Sequence, residues 1–349
     1  MASYQIDVRA LHSALQQCLQ QQRVPPDQAE QIAAVLLDCE LRGYDDHGVA
    51  FLGSLTEWYR SGALNPTPRV QVLREDRAGI LLDGDAGCGV IAATEAMRRC
   101  IAAARQHGIA CAGIQRSGHF IAAAPYAVMA ADAGMIGFAS SNTPPLMAST
   151  GGLTRVLGTN PLAYAIPAGR HDPVVMDMAT SATAGYKVRM AAKEGRRIPE
   201  GLIADRDGRP STDPNDFVNG GLILPAGGHK GFGLAMVVDT LAGVLTGAGF
   251  AQSGGVTNGK CGQFFWALDV EMFMPQAEFL ARVDEQIDQI KAGKLAAGVS
   301  EVLVPGERGQ RRCRELQQSG HVPLNAVAWE VLADECRRAG ISAPESPRL

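Results

Sequence analysis

The spacing of apolar residues changes twice along this chain, and that change constrains the fold more than any single motif. Over residues 6–62 the spacing is helical. Ala33, Val35, Leu36, Cys39 and Leu41 form a wide apolar face behind Pro25-Pro26 and the capping-box pattern Asp27-Gln28-Ala29-Glu30, and Gly43 stops it. From residue 69 the period shortens. Val70, Val72 and Leu73, then Ile80 to Leu82, Ile109 to Ile114, Met135 to Ser140, Leu162 to Ile166 and Val174 to Met178 read as strands. Helical patterns over about 90–106 and 120–132 separate the early strands, and the β-α-β-α-β order implies an α/β layer. Residues 195–228, rich in Gly, Pro and Asp, read as an extended loop. A long helix begins near Lys230, and a strand fits Phe264 to Val270. From residue 276 the helical spacing returns, with stops at Gly293, Gly320 and Gly340. The expectation is an α/β protein. An α/β domain over 76–270 is bracketed by a mainly helical domain built from both chain ends, 1–75 together with 271–349.

Composition removes several function classes. The 349 residues carry a net charge of −4, and a nucleic-acid binder would be basic with clustered Lys and Arg. The densest basic run, Arg308 to Arg314, reads as a solvated helix face. Gly233 to Gly249 is apolar but interrupted by Asp239 and glycines, which fits buried helices better than a membrane span. The N-terminus lacks an apolar core like that of a secretory signal. The 8 cysteines (Cys18, Cys39, Cys88, Cys100, Cys111, Cys261, Cys313 and Cys336) form no C-x-x-C pair and read as reduced core thiols. A cytoplasmic protein with a small-molecule substrate is expected, with no nucleic-acid or membrane partner. No zinc spacing appears, so no metal is expected.

The stretch GILLDGDAGCGVIAATE at 79–95 contains a G-x-G-x-x-A pattern at Gly87 to Ala92. In a Rossmann unit an acid about 20 residues further on holds the ribose. Here that region is His107 to Gln115, without Asp or Glu, and Asp83 and Asp85 beside the loop would repel a pyrophosphate. The glycines are expected to serve packing, not the cofactor.

Other motifs carry chemistry. Asp46-His47-Gly48 places an imidazole beside a carboxylate at a helix mouth, suited to proton transfer near neutral pH; a merely capping or exposed His is the alternative. Ser117-Gly118-His119-Phe120 lies just past a strand's carboxyl end, where α/β proteins place ligands; a helix-capping His is the alternative. Met176-Asp177-Met178-Ala179-Thr180-Ser181 ends an apolar strand in an acid. That acid needs a partner, an imidazolium or a helix N-terminus. Gly227-Gly228-His229-Lys230-Gly231 opens a helix and suits an anion, but lacks P-loop spacing.

These motifs, with L-G-T-N-P-L-A-Y-A-I-P at 157–167 and V-P-G-E-R at 304–308, occur in an order that resembles the malate/L-lactate dehydrogenase-like (type 2) oxidoreductase family. That family includes sulfolactate, ureidoglycolate and diketogulonate dehydrogenases and Δ1-piperideine-2-carboxylate reductases. The resemblance implies an NAD- or NADP-dependent enzyme with its own non-Rossmann NAD(P)-binding sheet domain, usually a homodimer. It assigns proton transfer to the positions of Asp46, His47 and Asp177, and in some members to that of His119. It places the cofactor near His119, Phe120, Ile121, Ala122 and Ala123, near Pro167, Ala168 and Gly169, near Val218 and Asn219, and near Val304, Pro305, Gly306, Glu307, Arg308 and Gly309. Phe51, Ser149 and Thr150 fall where the family meets its substrate.

Two departures bear on the substrate. Asp46 stands where the family usually has Ser, and Phe51 where an Arg often grips the substrate carboxylate. Phe cannot replace a bidentate Arg clamp. The expected reaction is hydride transfer between the nicotinamide and a 2-oxo or 2-hydroxy acid. A reductase of a cyclic imine carboxylate is the alternative, since a protonated imine would welcome Asp46. A non-catalytic nucleotide-binding member is a third reading. Arg155 or Arg189 could hold the carboxylate in place of the missing Arg.

Overall fold

The computed structural model describes residues 3–251, 257 and 260–345. Strand β1 (Ser3–Asp7) leads into helices α1 (Val8–Gln20), α2 (Pro26–Arg42) and α3 (Leu52–Arg60). The alternating segment follows as β2 (Gln71–Asp76), β3 (Gly79–Asp83), α4 (Gly89–His107), β4 (Ile109–Ser117), α5 (Ala124–Asp132) and β5 (Met135–Ser141). Next come β6 (Met147–Ala148), β7 (Arg155–Leu157), β8 (Leu162–Ile166), β9 (Val174–Met178) and α6 (Gly185–Lys193). Then follow β10 (Ile203–Ala204), β11 (Pro210–Ser211), α7 (Pro214–Val218), β12 (Leu222–Ile223) and α8 (His229–Asp239), which a π-helical turn extends to Val244. The chain closes with β13 (Cys261–Asp269), α9 (Gln276–Lys291), α10 (Glu307–Ser319), β14 (His321–Asn325) and α11 (Ala326–Ala339).

A seven-stranded sheet in the order β2-β3-β4-β13-β5-β8-β9 forms the centre. Only β3 and β4 are parallel neighbours; every other pair is antiparallel. Strand β13 enters from far along the chain and separates β4 from β5. Its side chains alternate as a strand with two covered faces requires. Phe265 and Ala267 pack under α4 and α5, while Phe264 and Trp266 face the other side with Phe138 and Val238.

The two chain ends share one core. Leu11, Leu15, Ile32, Leu36, Leu52 and Leu55 from the first helices pack with Val322, Leu324 and Leu332 from the last elements, all fully buried. β1 pairs antiparallel with β14, from Ser3 opposite Asn325 to Asp7 opposite His321. Asp7 then caps α1 through the N–H groups of Arg9 and Ala10.

Two local expectations need correction. The Asp27 to Glu30 pattern is not a capping box: α2 starts at Pro26 and its cap position, Pro25, makes no side-chain bond. Proline at the first helical position has its φ already set and lacks only an N–H that would go unused. Residues 195–228 are not an extended loop. They hold β10, β11, α7 and β12, and join β6 and β7 in a small five-stranded sheet, order β11-β10-β12-β6-β7, over Val188, Ile203, Phe217 and Ile223. Strands of two residues are too short to show a period.

The glycine loop before α4 is a packing device. A Cβ on Gly87 would lie 2.3 Å from Pro68 Cγ, and one on Gly89 would lie 2.3 Å from the Gly118 carbonyl oxygen. The loop presses against the 117–120 segment and fixes where His119 begins.

Leu332 on α11 is fully buried among residues of the N-terminal helices. Leu332→Ala should therefore cost about 2–5 kcal/mol in urea denaturation. A loss below about 1 kcal/mol would mean that the C-terminal helix does not complete the N-terminal core.

Candidate active site

The site is built where the helical core meets the edge of the sheet. Strand β9 carries near its end Asp177, a half-buried acid that borders two cavities. Its Oδ2 accepts the Ala124 N–H at 2.8 Å, and the Ala123 N–H also bonds to it. Ala123 is the cap position of α5 and has no side chain of its own for the task, so an acid from another strand caps the helix. Burial pushes the Asp177 carboxyl up, against the two N–H groups and the nearby charge of His47.

The same anchoring places His119 one turn before α5. Its Nδ1 accepts the N–H of Ile121 at 3.0 Å. In the neutral ring the proton then sits on Nε2, which makes His119 a hydrogen-bond donor. Burial pulls its pKa down to about 3, helped by the like charge of His47 and opposed by Asp46. Ile121 itself holds φ at +72°, in the left-handed region that a β-branched residue rarely enters. Backbone strain thus sits beside the imidazole.

His47 comes from the turn between α2 and α3. Its Nδ1 donates to Asp46 Oδ1 at 3.0 Å, and Nε2 has no hydrogen-bond partner among the described residues. Burial alone would raise the Asp46 carboxyl. The hydrogen bond from His47, with the charges of His47 and Lys187, outweighs it and holds Asp46 below its usual range. The turn rests on buried Glu40, whose Oε2 accepts the Val49 N–H at 2.8 Å. Gly48 is required there, since a Cβ would lie 2.2 Å from the Glu40 carboxylate.

These groups meet on one cavity of about 480 Å³ lined by Asp46, His47, His119, Asp177 and Lys187, together with Tyr44, Ile121, Ala122, Ala123, Thr143, Thr159 and Ser181. The His47 and His119 rings lie 5.9 Å apart. Phe51 packs at 4.9 Å on His119, with Trp58 behind it at 5.6 Å. Phe120 points the other way, into the core, stacked on Tyr126.

A second cavity, about 630 Å³, shares Gly43, Tyr44 and Asp177 with the first. Val304, Gly306, Arg308 and Gly309 line it at the start of α10, with Arg42 and Arg312. Arg308 and Arg312 form no ion pair among the described residues, whereas Arg42 is bonded to Asp38. The basic run was expected to be a solvated face. Arg311 and Arg314 do pair with surface acids, but Arg308 and Arg312, one helical turn apart, face the cavity. Pro305 and Glu307 fasten this entrance: the Pro305 carbonyl accepts from Val175, and Glu307 bonds the Val304 N–H and Lys291. An arginine-lined cavity with open glycine backbone, joined to one carrying titratable groups, fits a dinucleotide such as a nicotinamide cofactor.

Other expected contacts fall elsewhere. Pro167, Ala168 and Gly169 follow β8 and line neither cavity; buried Asp284 of α9 accepts the N–H groups of Gly169, Arg170 and His171. Val218 and Asn219 end α7 and also lie away from both, with Val218 exposed. Ser149 and Thr150 line a third cavity with Gly227 and Gly228, which touches the first at Ala182. Sequence reasoning missed Glu40, Tyr44, Arg312 and Lys187. Lys187 had one signal available, a cation ten residues past Asp177. Among the described residues no group of three or more His, Cys, Asp or Glu is placed to hold a metal ion.

A paired histidine and acid, a second neutral histidine, and an adjoining dinucleotide-sized cationic cavity define an oxidoreductase. The comparisons with known proteins give it a place. The chain belongs to the malate/L-lactate dehydrogenase family, whose model matches residues 6–333. It is 35% identical over 331 residues to a malate dehydrogenase of Pyrococcus abyssi, covering 92% of this chain and 91% of that one. It is also 35% identical, over 241 residues, to a Δ1-pyrroline-2-carboxylate/Δ1-piperideine-2-carboxylate reductase of Pseudomonas putida, covering 69% and 71% of the two chains. The solved malate dehydrogenase of Pyrococcus horikoshii superposes with a TM-score of 0.89 over 97% of each chain, at 31% identity.

Glu40 gives a pH test of the scaffold under His47. Burial pushes its carboxyl from an ordinary 4.5 up to about 7, with Asp45 adding and the Val49 N–H and Arg312 opposing. Between these values the folded state keeps a proton that the unfolded chain has lost. The associated stability is full below 4.5 and is lost as pH rises through about 7. Glu40→Gln should remove that fall, gaining on the order of 1–3 kcal/mol relative to wild type between pH 5 and pH 8 in urea denaturation. An unchanged difference between the two pH values would show that Glu40 titrates normally.

Proposed function

We propose that this enzyme moves hydride between a nicotinamide cofactor, NAD or NADP, and a carbon that carries a C=O or C=N bond next to a carboxylate. The observation that carries the reading is the convergence of Asp46-His47, His119 and Asp177 on one cavity that opens into an arginine-lined one. His119, Ile121, Ala122 and Ala123 would hold the cofactor at the first cavity, and Val304, Gly306, Arg308, Gly309 and Arg312 at the second. When bound, the cofactor supplies or accepts the hydride.

The chain's own groups do the rest. Asp46 holds the His47 Nδ1–H and stabilises the imidazolium, leaving Nε2 to give a proton to the substrate's oxygen or nitrogen. His119 stays neutral through the physiological range, so its Nε2–H polarises that atom rather than protonating it. Asp177 keeps His119 in place by capping α5. The strained backbone at Ile121 belongs to the same pre-set geometry.

A 2-oxo acid is the first substrate class. The cyclic imine carboxylate is favoured by one observation: Phe51 sits against His119, and Asp46 lies beside His47. A cationic iminium is attracted by both an aromatic face and a carboxylate.

The architecture we propose is a sheet domain that is not of the Rossmann type against a helical domain built from both chain ends; the expected boundary at 76 moves to before Gln71, because β2 (Gln71–Asp76) pairs with β3 in the sheet. The mixed strand directions and the shared terminal core support it. A homodimer is supported by Met236, Val237 and Leu245, each more than half exposed along α8 and its extension. A cytoplasmic location agrees with eight free thiols.

Fluorescence titration with NADH and NADPH, then turnover on 2-oxo acids and cyclic imine carboxylates, tests the reading. Saturable cofactor binding without turnover on any of them would overturn it. His47→Ala should lower kcat by about two to four orders of magnitude while cofactor affinity changes little. An active His47→Ala beside a dead His119→Ala would move the proton role to His119. Asp46→Ser combined with Phe51→Arg should improve kcat/KM for pyruvate by about tenfold or more, because it removes a repelling charge and restores a clamp. No gain would mean that an arginine at position 51 does not reach the substrate.

A further inference from the structure

The substrate class proposed above contains a carboxylate, yet the position expected to grip it is Phe51. The alternatives that the sequence suggested are engaged elsewhere. The Arg155 guanidinium donates to the carbonyls of Phe217 and Gly221, each at 2.9 Å, and lies over the Phe217 ring. Arg189 lies over the same ring at 5.4 Å. Neither lines the cavity that holds the two histidines. Arg308 and Arg312 line the adjoining cavity.

One cation remains on the wall of the histidine cavity. Lys187, in the first turn of α6, is the only Lys or Arg among its lining residues. It forms no hydrogen bond or ion pair among the described residues, although its charge reaches Asp46. Without it the fixed charges on that wall would be Asp46 and Asp177, an environment hostile to any anion. We infer that Lys187 is the counter-ion of the substrate carboxylate and the residue that sets specificity for a monocarboxylate. This rests on the function proposed above.

The chemistry separates this arrangement from an arginine clamp. An ammonium is a compact point charge on a flexible stem, without the planar fork that matches two carboxylate oxygens. It suits one carboxylate whose orientation is set elsewhere, here by the histidines at the reacting carbon. A second carboxylate would find no second cation on the wall and would meet Asp46 or Asp177. Monocarboxylic 2-oxo acids and cyclic imine monocarboxylates are therefore preferred to dicarboxylates such as oxaloacetate.

The test uses full-length protein saturated with NADH or NADPH, whichever binds, and oxamate as an unreactive 2-oxo monocarboxylate. Oxamate should bind wild type, with affinity about tenfold weaker in Lys187→Gln and restored to within about threefold in Lys187→Arg. Cofactor affinity should be unchanged in both, which shows that the cavity is intact. In turnover the same Lys187→Gln change should raise KM for pyruvate about tenfold and leave kcat within about threefold. Equal oxamate affinity in wild type and Lys187→Gln, or no oxamate binding by loaded wild type, would overturn the inference. Oxamate bound through Lys187 by a protein that reduces no 2-oxo acid or imine would uphold the inference and sink the proposed function. Reduction of oxaloacetate more efficiently than pyruvate, insensitive to Lys187→Gln, would overturn the monocarboxylate preference while leaving the proposed function standing.

Discussion

The site depends first on one carboxylate. Asp177 lies near the end of the outermost strand of the main sheet and caps α5, the helix that connects β4 to β5. A half-buried carboxylate is costly unless N–H groups and a positive neighbour stand beside it. Here two backbone N–H groups and the His47 ring do so. Satisfying Asp177 therefore fixes the start of α5, the segment from His119 to Ala123, and the distance between sheet edge and helical core. The sheet brings the acid, the helical core brings His47, and neither layer makes the site alone.

The two histidines differ because their partners differ. His47 gives Nδ1–H to a carboxylate, whereas the corresponding nitrogen of His119 accepts a backbone N–H. One ring is held by an acid, and the other is kept neutral by burial. A neutral His119 avoids any pairing of two positive rings 5.9 Å apart in a partly closed cavity. Division of labour between the rings thus follows from hydrogen-bond polarity, before any pocket shape is considered.

Much of this was legible in the sequence, and the reasons for the rest are physical. Long periodic segments such as α1, α2, α4 and β5 declare themselves because one face must be apolar along their whole length. The shared terminal core was legible for the same reason, as the helical period returned after residue 276. The placement of β13 was not: its own residues identify a strand, but its insertion between β4 and β5 depends on pairing across more than a hundred residues. The short elements of the 195–228 region are set by partners rather than by pattern. Asp46, His47, His119 and Asp177 could be named from motif order, yet not which acid bonds to which ring. That depends on the turn held by Glu40. Lys187 carried almost no signal, because a single lysine on an exposed helix is ordinary until a cavity lies beside it.

The pairing of β1 with β14 has a consequence for how the protein is made. The ribosome releases the Asp46-His47 turn early, but the helices that carry it bury their apolar faces against α11 and β14, which follow it by more than 250 residues. Contacts of such long sequence separation form slowly, and the helical layer stays incomplete until nearly the whole chain is available. A chain without α11 and β14 leaves the apolar faces of the helices around the Asp46-His47 turn uncovered. The order in which the elements leave the ribosome and the order in which the site can be assembled are therefore different, and the turn that carries His47 waits for elements made long after it.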